Sequence, residues 1–549
     1  MKKILTLLLV TLQLEAKLPN NPAIASAHPL ATEAGYEIIK QGGNAFDAAV
    51  AVSAVLSVVE PESSGIGGGG FWLLHTSVND KNIFVDGREE APKAAHRDMY
   101  LDKDGNVDRD LAVNGPLAAG IPGNVAAMAY VNEKYGKLTL AQNLAPAIRI
   151  AQQGFPAYEK FIRGLKEEEE FIRRYPSTMK AYFINGERIP ELDEIIKQPD
   201  MATTLQAIAK DGKAGFYEGE VAEKFIRAVT KAGGNWTHED LKNYKIVLRE
   251  PIYTTYRDKK LVTAPPPSSG GIALATMLNI LSGWDLTGMK RDERIHLIVE
   301  SMRRAYRDRS VHLGDPDFYD VPVEMLVNPY YADGLRATIR EDKALPSDYL
   351  PGLAELREGN DTTHFSIIDA EGNLVAVTQT VNTVFASKFV ADGTGVLLNN
   401  EMDDFSAKPG EPNAYGLIGG EANSIQPGKR PLSSMTPTFV IGEDDVAVLG
   451  TPGGSRIITM VLLGLLDYFD GNGVSSWTAL PRYHHQYVPD ILFYEPGAID
   501  AETLPGLKAR GHQLKELDHT WGNMNAAHWN KKTGQTEAAT DPRGEAAVR

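Results

Sequence analysis

Thr362-Thr363-His364-Phe365-Ser366 follows a charged segment, Leu353 to Asp361, and opens a strand-like run. A hydroxyl at the start of a strand is commonly structural, and a threonine hydroxyl is a weak nucleophile that needs a base. Here the neighbours add chemistry. His364 to Asp369 and Leu374 to Thr380 read as two strands, with Glu371-Gly372 as a two-residue turn. That turn predicts Thr363 opposite Thr380 and Thr362 opposite Val381, which brings Thr378, Thr380 and Asn382 beside Thr362. A slip of one residue would send these groups to the other face.

Three polar loops follow: Asn399 to Ser406, Lys429 to Met435, and Gly450 to Arg456. The last contains Gly453-Gly454 and opens the apolar run Ile457 to Leu465, which reads as a helix. Backbone N–H groups at such a turn can face an anion or an oxyanion. Each loop alone is unremarkable, but with Thr362 they make a set suited to acyl transfer. Gly65-x-Gly67-x-x-Gly70 spells a dinucleotide fingerprint. Its context does not fit, because a helix precedes it and a strand follows. A tight loop in which side chains would clash, and which could line a pocket, is expected instead.

The elements that must hold these residues are partly visible. Glu33 to Gln41 reads as a helix ended by Gly42-Gly43, and Asn44 can N-cap a second helix, Ala45 to Val59. Small residues on nearly every face of that helix predict burial in a layered core. Phe71 to His75 and Asn82 to Asp86 read as a hairpin, and Leu138 to Leu350 alternates helical and irregular segments. Pro265 to Gly271 breaks this stretch before a helix from about Ile272. The chain therefore divides near 361 into a helix-rich and a strand-led part, both feeding one α/β body.

Lys and Arg number 56 against 72 Asp and Glu, a net charge of −16. This excess argues against a nucleic-acid partner. An anionic substrate would need cationic side chains in its pocket. With no cysteine, disulfides, thiolate nucleophiles and a lipobox are excluded. His484 and His485 are adjacent, and no HExxH occurs, so neither a metal nor any other cofactor is expected. Met1-Lys2-Lys3, the apolar run Ile4 to Leu14 and Ala16 read as a signal peptide, residues 1–16. The run is too short to span a bilayer. A periplasmic or secreted protein without stable membrane insertion is expected.

The ordered motifs HPLATEAG (28–35), GGNAFDAAVA (42–51), SSGIGGGGF (63–71), TTHFS (362–366), NNEMDDFS (399–406), KRPLSSM (429–435), TPGGSR (451–456) and DPR (541–543) resemble the γ-glutamyltranspeptidase family from about residue 22 to 545. The resemblance implies an N-terminal-nucleophile hydrolase, a four-layer αββα sandwich. It implies a zymogen cut between Asp361 and Thr362 into a large subunit (17–361) and a small one (362–549) that stay together as a heterodimer. Thr362 is then the nucleophile, and the amine freed by the cut, with a pKa of about 7.7–8.0, is its base. Thr380 supports the cut, and Gly453 and Gly454 give the oxyanion hole. Arg88 holds the substrate α-carboxylate with Ser433 and Ser434, since a planar fork matches a carboxylate. Asn382, Glu401 and Asp404 receive the α-ammonium, and Tyr415 gates a lid at 409–425. The substrates implied are glutathione and other γ-glutamyl compounds, with water or amino acids and peptides as acceptors. Without the resemblance, Arg88 reads as a surface residue paired with Glu89 or Asp86. Two rival functions are a glutaryl (cephalosporin) acylase on the same scaffold and an inactive exported binder of γ-glutamyl peptides.

Overall fold

The computed structural model describes residues 16–350 and 362–545. The expected signal segment up to Glu15, and Asp361 on one side of the expected cut, lie outside the described residues.

Two six-stranded sheets form the centre, each antiparallel between neighbours. The first runs in the order Ala23–Ser26, Thr363–Ile368, Leu374–Thr380, Gly69–Thr76, Lys81–Gly87, Val247–Arg249. The second runs Thr536–Thr540, Asn525–Asn530, Asp445–Gly450, Thr438–Ile441, Lys259–Thr263, Ile252–Tyr256. Each sheet takes strands from both sides of residue 361. The expected boundary therefore passes through one body and does not separate two domains.

Strand alternation explains why the inner strands are apolar on both faces. Phe365, Ile367, Val375, Val377, Trp72 and Leu74 point to an outer helical layer that includes Ala45–Val59. Ile368, Leu374, Ala376, Phe71 and Leu73 point to the second sheet, against Phe439 and Val448. Beyond that sheet lie Gly270–Leu281, Arg291–His312 and Ile457–Phe469. The result is the expected αββα order.

The second helix has the predicted bounds. Asn44 accepts from the N–H groups of Phe46 and Asp47 while Asp47 Oδ2 accepts from Asn44 N–H, and every residue of the helix is buried. The first helix starts earlier than predicted, at Pro29, whose fixed φ suits a first helical turn behind the cap His28.

The register of the Thr362 hairpin differs from expectation by one residue. Gln379 pairs with Thr363, and Thr378 with His364. The turn is longer than two residues: Asp369 N–H donates to Asn373 O, Asp369 Oδ1 accepts from the N–H of Glu371 and Asn373, and Gly372 takes φ +83°. A three-residue loop closed by an aspartate and a left-handed glycine replaces the predicted tight turn. The shift sets Thr362 opposite Thr380 and not Val381.

Candidate active site

Thr362 stands just before the inner strand Thr363–Ile368, at its buried end, 4% exposed. Its Oγ1 lies 3.2 Å from Thr380 Oγ1, and Asn382 N–H donates to Thr380 Oγ1 at 2.8 Å. That leaves the Thr380 hydrogen to be directed at Thr362. Thr363 faces the helical side, where its Oγ1 donates to Glu60 Oε2 at 2.7 Å. The pleat therefore separates two adjacent threonines into one site residue and one packing residue. His364 does not serve as a base here. Its ring nitrogens face Thr378 Oγ1 and Ser366 Oγ, and burial pushes its pKa down to about 3.

The glycine-rich loop braces this strand end. A Cβ on Gly68 would lie 2.0 Å from Thr380 O, and one on Gly67 would lie 2.0 Å from Leu397 O. Side chains would clash there, as expected, but the loop supports the pocket without lining it.

The strand Asp445–Gly450 delivers the turn Thr451 to Arg456 to the same place. Gly453 has φ +133° and Gly454 φ +53°, and the helix Ile457–Phe469 begins directly after. Neither N–H is engaged by a described group, and Gly454 with the helix start at Ile457 lines the pocket that holds Thr362.

Arg88 is 1% exposed, which rules out the surface reading. Its Nη1 donates to Glu401 Oε1, its Nη2 to Asp404 Oδ2 at 2.5 Å, and its Nε to Pro431 O at 3.2 Å. Glu89 Oε2 lies 3.6 Å from Nη1. The groups expected to bind a carboxylate and an ammonium thus grip each other directly. Burial pushes the Glu89 carboxyl up to about 7 against the pull of Arg88, and burial with Glu89 and Asp404 nearby pushes Glu401 well above its usual range. Both oxygens of Glu89 and one of Glu401 lack a hydrogen-bond partner among the described residues. The Arg88 backbone is fixed by Asp86, which accepts from Arg88 N–H and pairs with Arg249 and Arg430.

Ser433 and Ser434 reach the site through the break at Pro265 to Gly271. Ser269 donates to Ser433 O through both its N–H, at 2.8 Å, and its Oγ, at 2.7 Å. A Cβ on Gly270 would meet Thr436 Oγ1 at 2.2 Å, so this close approach requires glycine. Above the pocket, Tyr415 OH donates to Asn382 O at 2.5 Å. Asn413 Nδ2 donates to Asp404 Oδ1, and Ala414 N–H to Asp403 Oδ2. The segment expected to form a lid is thereby tied to Asp403 and Asp404.

One pocket is lined by Arg88, Thr362, Thr380, Asn382, Glu401, Asp404, Tyr415, Ser433, Ser434 and Gly454. Every expected site residue reaches it except Gly453, which forms the turn beside it. The Asn382 Nδ2 is held by Asn400 O at 3.0 Å. A larger groove at the sheet edges, bordered by Asn21, Tyr36, Glu37 and Thr536, carries none of this chemistry. Leu417, Met435 and Ile457 also line the pocket. As apolar members of loops and helix starts, they gave no sequence signal. Asn399 was missed as an organiser: its Oδ1 accepts from Gly120 N–H and Glu401 N–H. Its place in NNEMDDFS was the available hint. Among the described residues His296, Glu300 and His512 approach ligand spacing. Glu300 already accepts from Arg303 and Arg304, and His296 Nδ1 meets His512 Nε2 at 2.8 Å, so the cluster is a packed polar network.

A hydroxyl residue at the head of an inner strand, facing an oxyanion-type turn in an αββα body, defines an N-terminal-nucleophile hydrolase. The chain belongs to the gamma-glutamyltranspeptidase family, whose profile it matches over residues 31–549. It is 43% identical over 499 residues to the glutathione hydrolase proenzyme of Pseudomonas sp. (strain A14), covering 90% of this chain and 86% of that one. It is 42% identical over 526 residues to that of Escherichia coli (strain K12), covering 95% and 90%. Among solved structures, cephalosporin acylase from Bacillus halodurans superposes with a TM-score of 0.85 at 28% identity over 97% of this chain and 96% of that one. Helicobacter pylori gamma-glutamyltranspeptidase superposes with a TM-score of 0.58 at 42% identity, covering 60% and 94%.

Proposed function

We propose that this chain is a γ-glutamyltransferase and glutathione hydrolase, made as a precursor that cuts itself between Asp361 and Thr362. The observation that carries the reading is the Thr362–Thr380 hydroxyl pair, facing the Gly453-Gly454 turn and the Arg88 clamp in one pocket. In the cut, Thr362 Oγ1 attacks the Asp361 carbonyl carbon, the peptide nitrogen leaves as the Thr362 amine, and water opens the resulting ester. In turnover that amine takes the Oγ1 proton as Oγ1 attacks the substrate γ-carbonyl. The Gly453 and Gly454 N–H groups receive the oxyanion. Collapse expels the substrate's leaving amine, which takes the proton from the Thr362 ammonium, and leaves a γ-glutamyl ester on Thr362. Water or an acceptor amine then releases it.

The substrate's α-carboxylate goes to Arg88, Ser433 and Ser434, and its α-ammonium to Glu401 and Asp404. Binding opens the Arg88 clamp and replaces it with two new ion pairs. A glutaryl group has no ammonium and would leave Glu401 and Asp404 uncompensated, which favours γ-glutamyl amides over the acylase reading. The acylase likeness is the more distant in sequence, at 28% identity. The same reading has residues 1–16 removed on export to the periplasm or medium, and the subunits 17–361 and 362–549 remaining associated through their shared sheets.

The test is the intact mass of the denatured, purified protein. Two species are expected, the smaller beginning at Thr362. A single uncut species after long incubation would overturn the precursor reading. Faster release of chromogen from a glutaryl than from a γ-glutamyl anilide would overturn the substrate.

A further inference from the structure

The buried arginines Arg88, Arg303, Arg304, Arg430 and Arg482 each hold a carboxylate. Arg309, 5% exposed on the helix Arg291–His312, holds none among the described residues. Tyr306 and Asp404 are the groups that act on it through space, and burial pushes its pKa down to about 10. A buried guanidinium without an ion pair is costly to maintain, and its hydrogen bonds show where it is used. Its Nε donates to Ser269 Oγ at 3.0 Å, and Ser269 in turn holds Ser433 O. Its Nη2 donates to Ser434 Oγ at 3.4 Å. With Ser434 Oγ accepting from behind, the Ser434 hydrogen is left to be donated into the pocket that Ser434 lines.

Charge balance points the same way. Arg88 faces Glu89, Glu401 and Asp404, so one cation meets three carboxyls before any substrate arrives. A carboxylate entering beside Ser433 and Ser434 therefore finds at Arg309 a positive charge that no ion pair holds among the described residues.

We propose that Arg309 is a positioning residue for the α-carboxylate of the γ-glutamyl donor, supplying positive charge through Ser434 and through the Ser269–Ser433 contact. This rests on the γ-glutamyl reading of the site. No covalent step is involved.

The test compares wild type, Arg309→Gln and Arg309→Lys in their cut form. The readouts are KM and kcat for a γ-glutamyl anilide, and inhibition constants for L-glutamine and for 4-aminobutanamide, the same amide without the α-carboxylate. Arg309→Gln is expected to raise KM and the L-glutamine constant about tenfold or more, with kcat within about threefold, and to leave the 4-aminobutanamide constant unchanged. Arg309→Lys, which keeps the charge, is expected to restore most of the loss, and it carries the test if Arg309→Gln fails to fold. Equal weakening of both amides would mean a packing role and overturn the proposal. So would a change confined to the KM of the acceptor. A wild-type enzyme inert toward the γ-glutamyl anilide would instead refute the underlying function.

Discussion

Replacing Arg88 with lysine keeps the charge and removes the fork. The guanidinium serves Glu401, Asp404 and Pro431 O with separate nitrogens. A single ammonium can approach one carboxylate well and leaves the other under-compensated in a buried place. When substrate binds, at least one charge-assisted hydrogen bond to the α-carboxylate is lost. Such a bond contributes about 1.5–3 kcal/mol, and each ~1.4 kcal/mol is a factor of ten. KM for a γ-glutamyl anilide should therefore rise about tenfold to a hundredfold. kcat at saturation should change little, because the hydrogen bonds and ion pairs of Arg88 go to Glu401, Asp404, Glu89 and Pro431 O. Initial rates over a range of substrate concentrations, on protein shown by mass to be fully cut, give both numbers. An unchanged KM in cut Arg88→Lys would remove Arg88 from the substrate site and undo the clamp argument.

Thr362→Ala should give a folded, single-mass, inactive chain, because it removes the hydroxyl proposed to carry out both the cut and the turnover; two subunit masses from that variant would assign the nucleophile elsewhere. Gly453→Ala places a side chain at φ +133°, with its Cβ 2.5 Å from Met460 Cε. Displacing this donor should lower kcat about 10²–10³-fold, and a kcat within twofold of wild type would show that the turn does not hold the oxyanion. Glu89 gives a pH prediction whose sign follows from its raised carboxyl. Above the unfolded pKa of about 4.5 the unfolded state releases this proton, while the native state keeps it until about pH 7. Its contribution to stability therefore falls as pH rises through that window. Glu89→Gln should gain Tm relative to wild type at pH 8 compared with pH 5; an equal Tm difference at the two values would contradict a buried, proton-holding Glu89.

Much of the site could be read from local sequence. Asn44 and Asp47 cap a helix through groups three residues apart, so the helix Ala45–Val59 followed from its own residues. The Gly65 to Gly70 loop was separated from a dinucleotide site by the order of its flanking elements alone. The hairpin register was not recoverable this way. It turns on whether Asp369 caps the loop, a competition between short-range hydrogen bonds that Glu371-Gly372 does not decide. That single residue determines whether Thr380 or Val381 faces Thr362.

The sequence by itself picked out the hydroxyl proposed as nucleophile, the glycine turn, the acidic and serine loops and the family that joins them, because each sits in a short run whose residue types carry the chemistry. Only the tertiary structure decided what those groups face. Arg88 reaches Glu401 and Asp404 across more than 300 residues of chain, and in sequence it was equally a surface partner of Glu89. Nothing in the sequence singled out Arg309; its contact with Ser434, 125 residues away, exists only after folding. Electrostatic compensation depends on distance in space and on exclusion of water, and neither is encoded in any one segment.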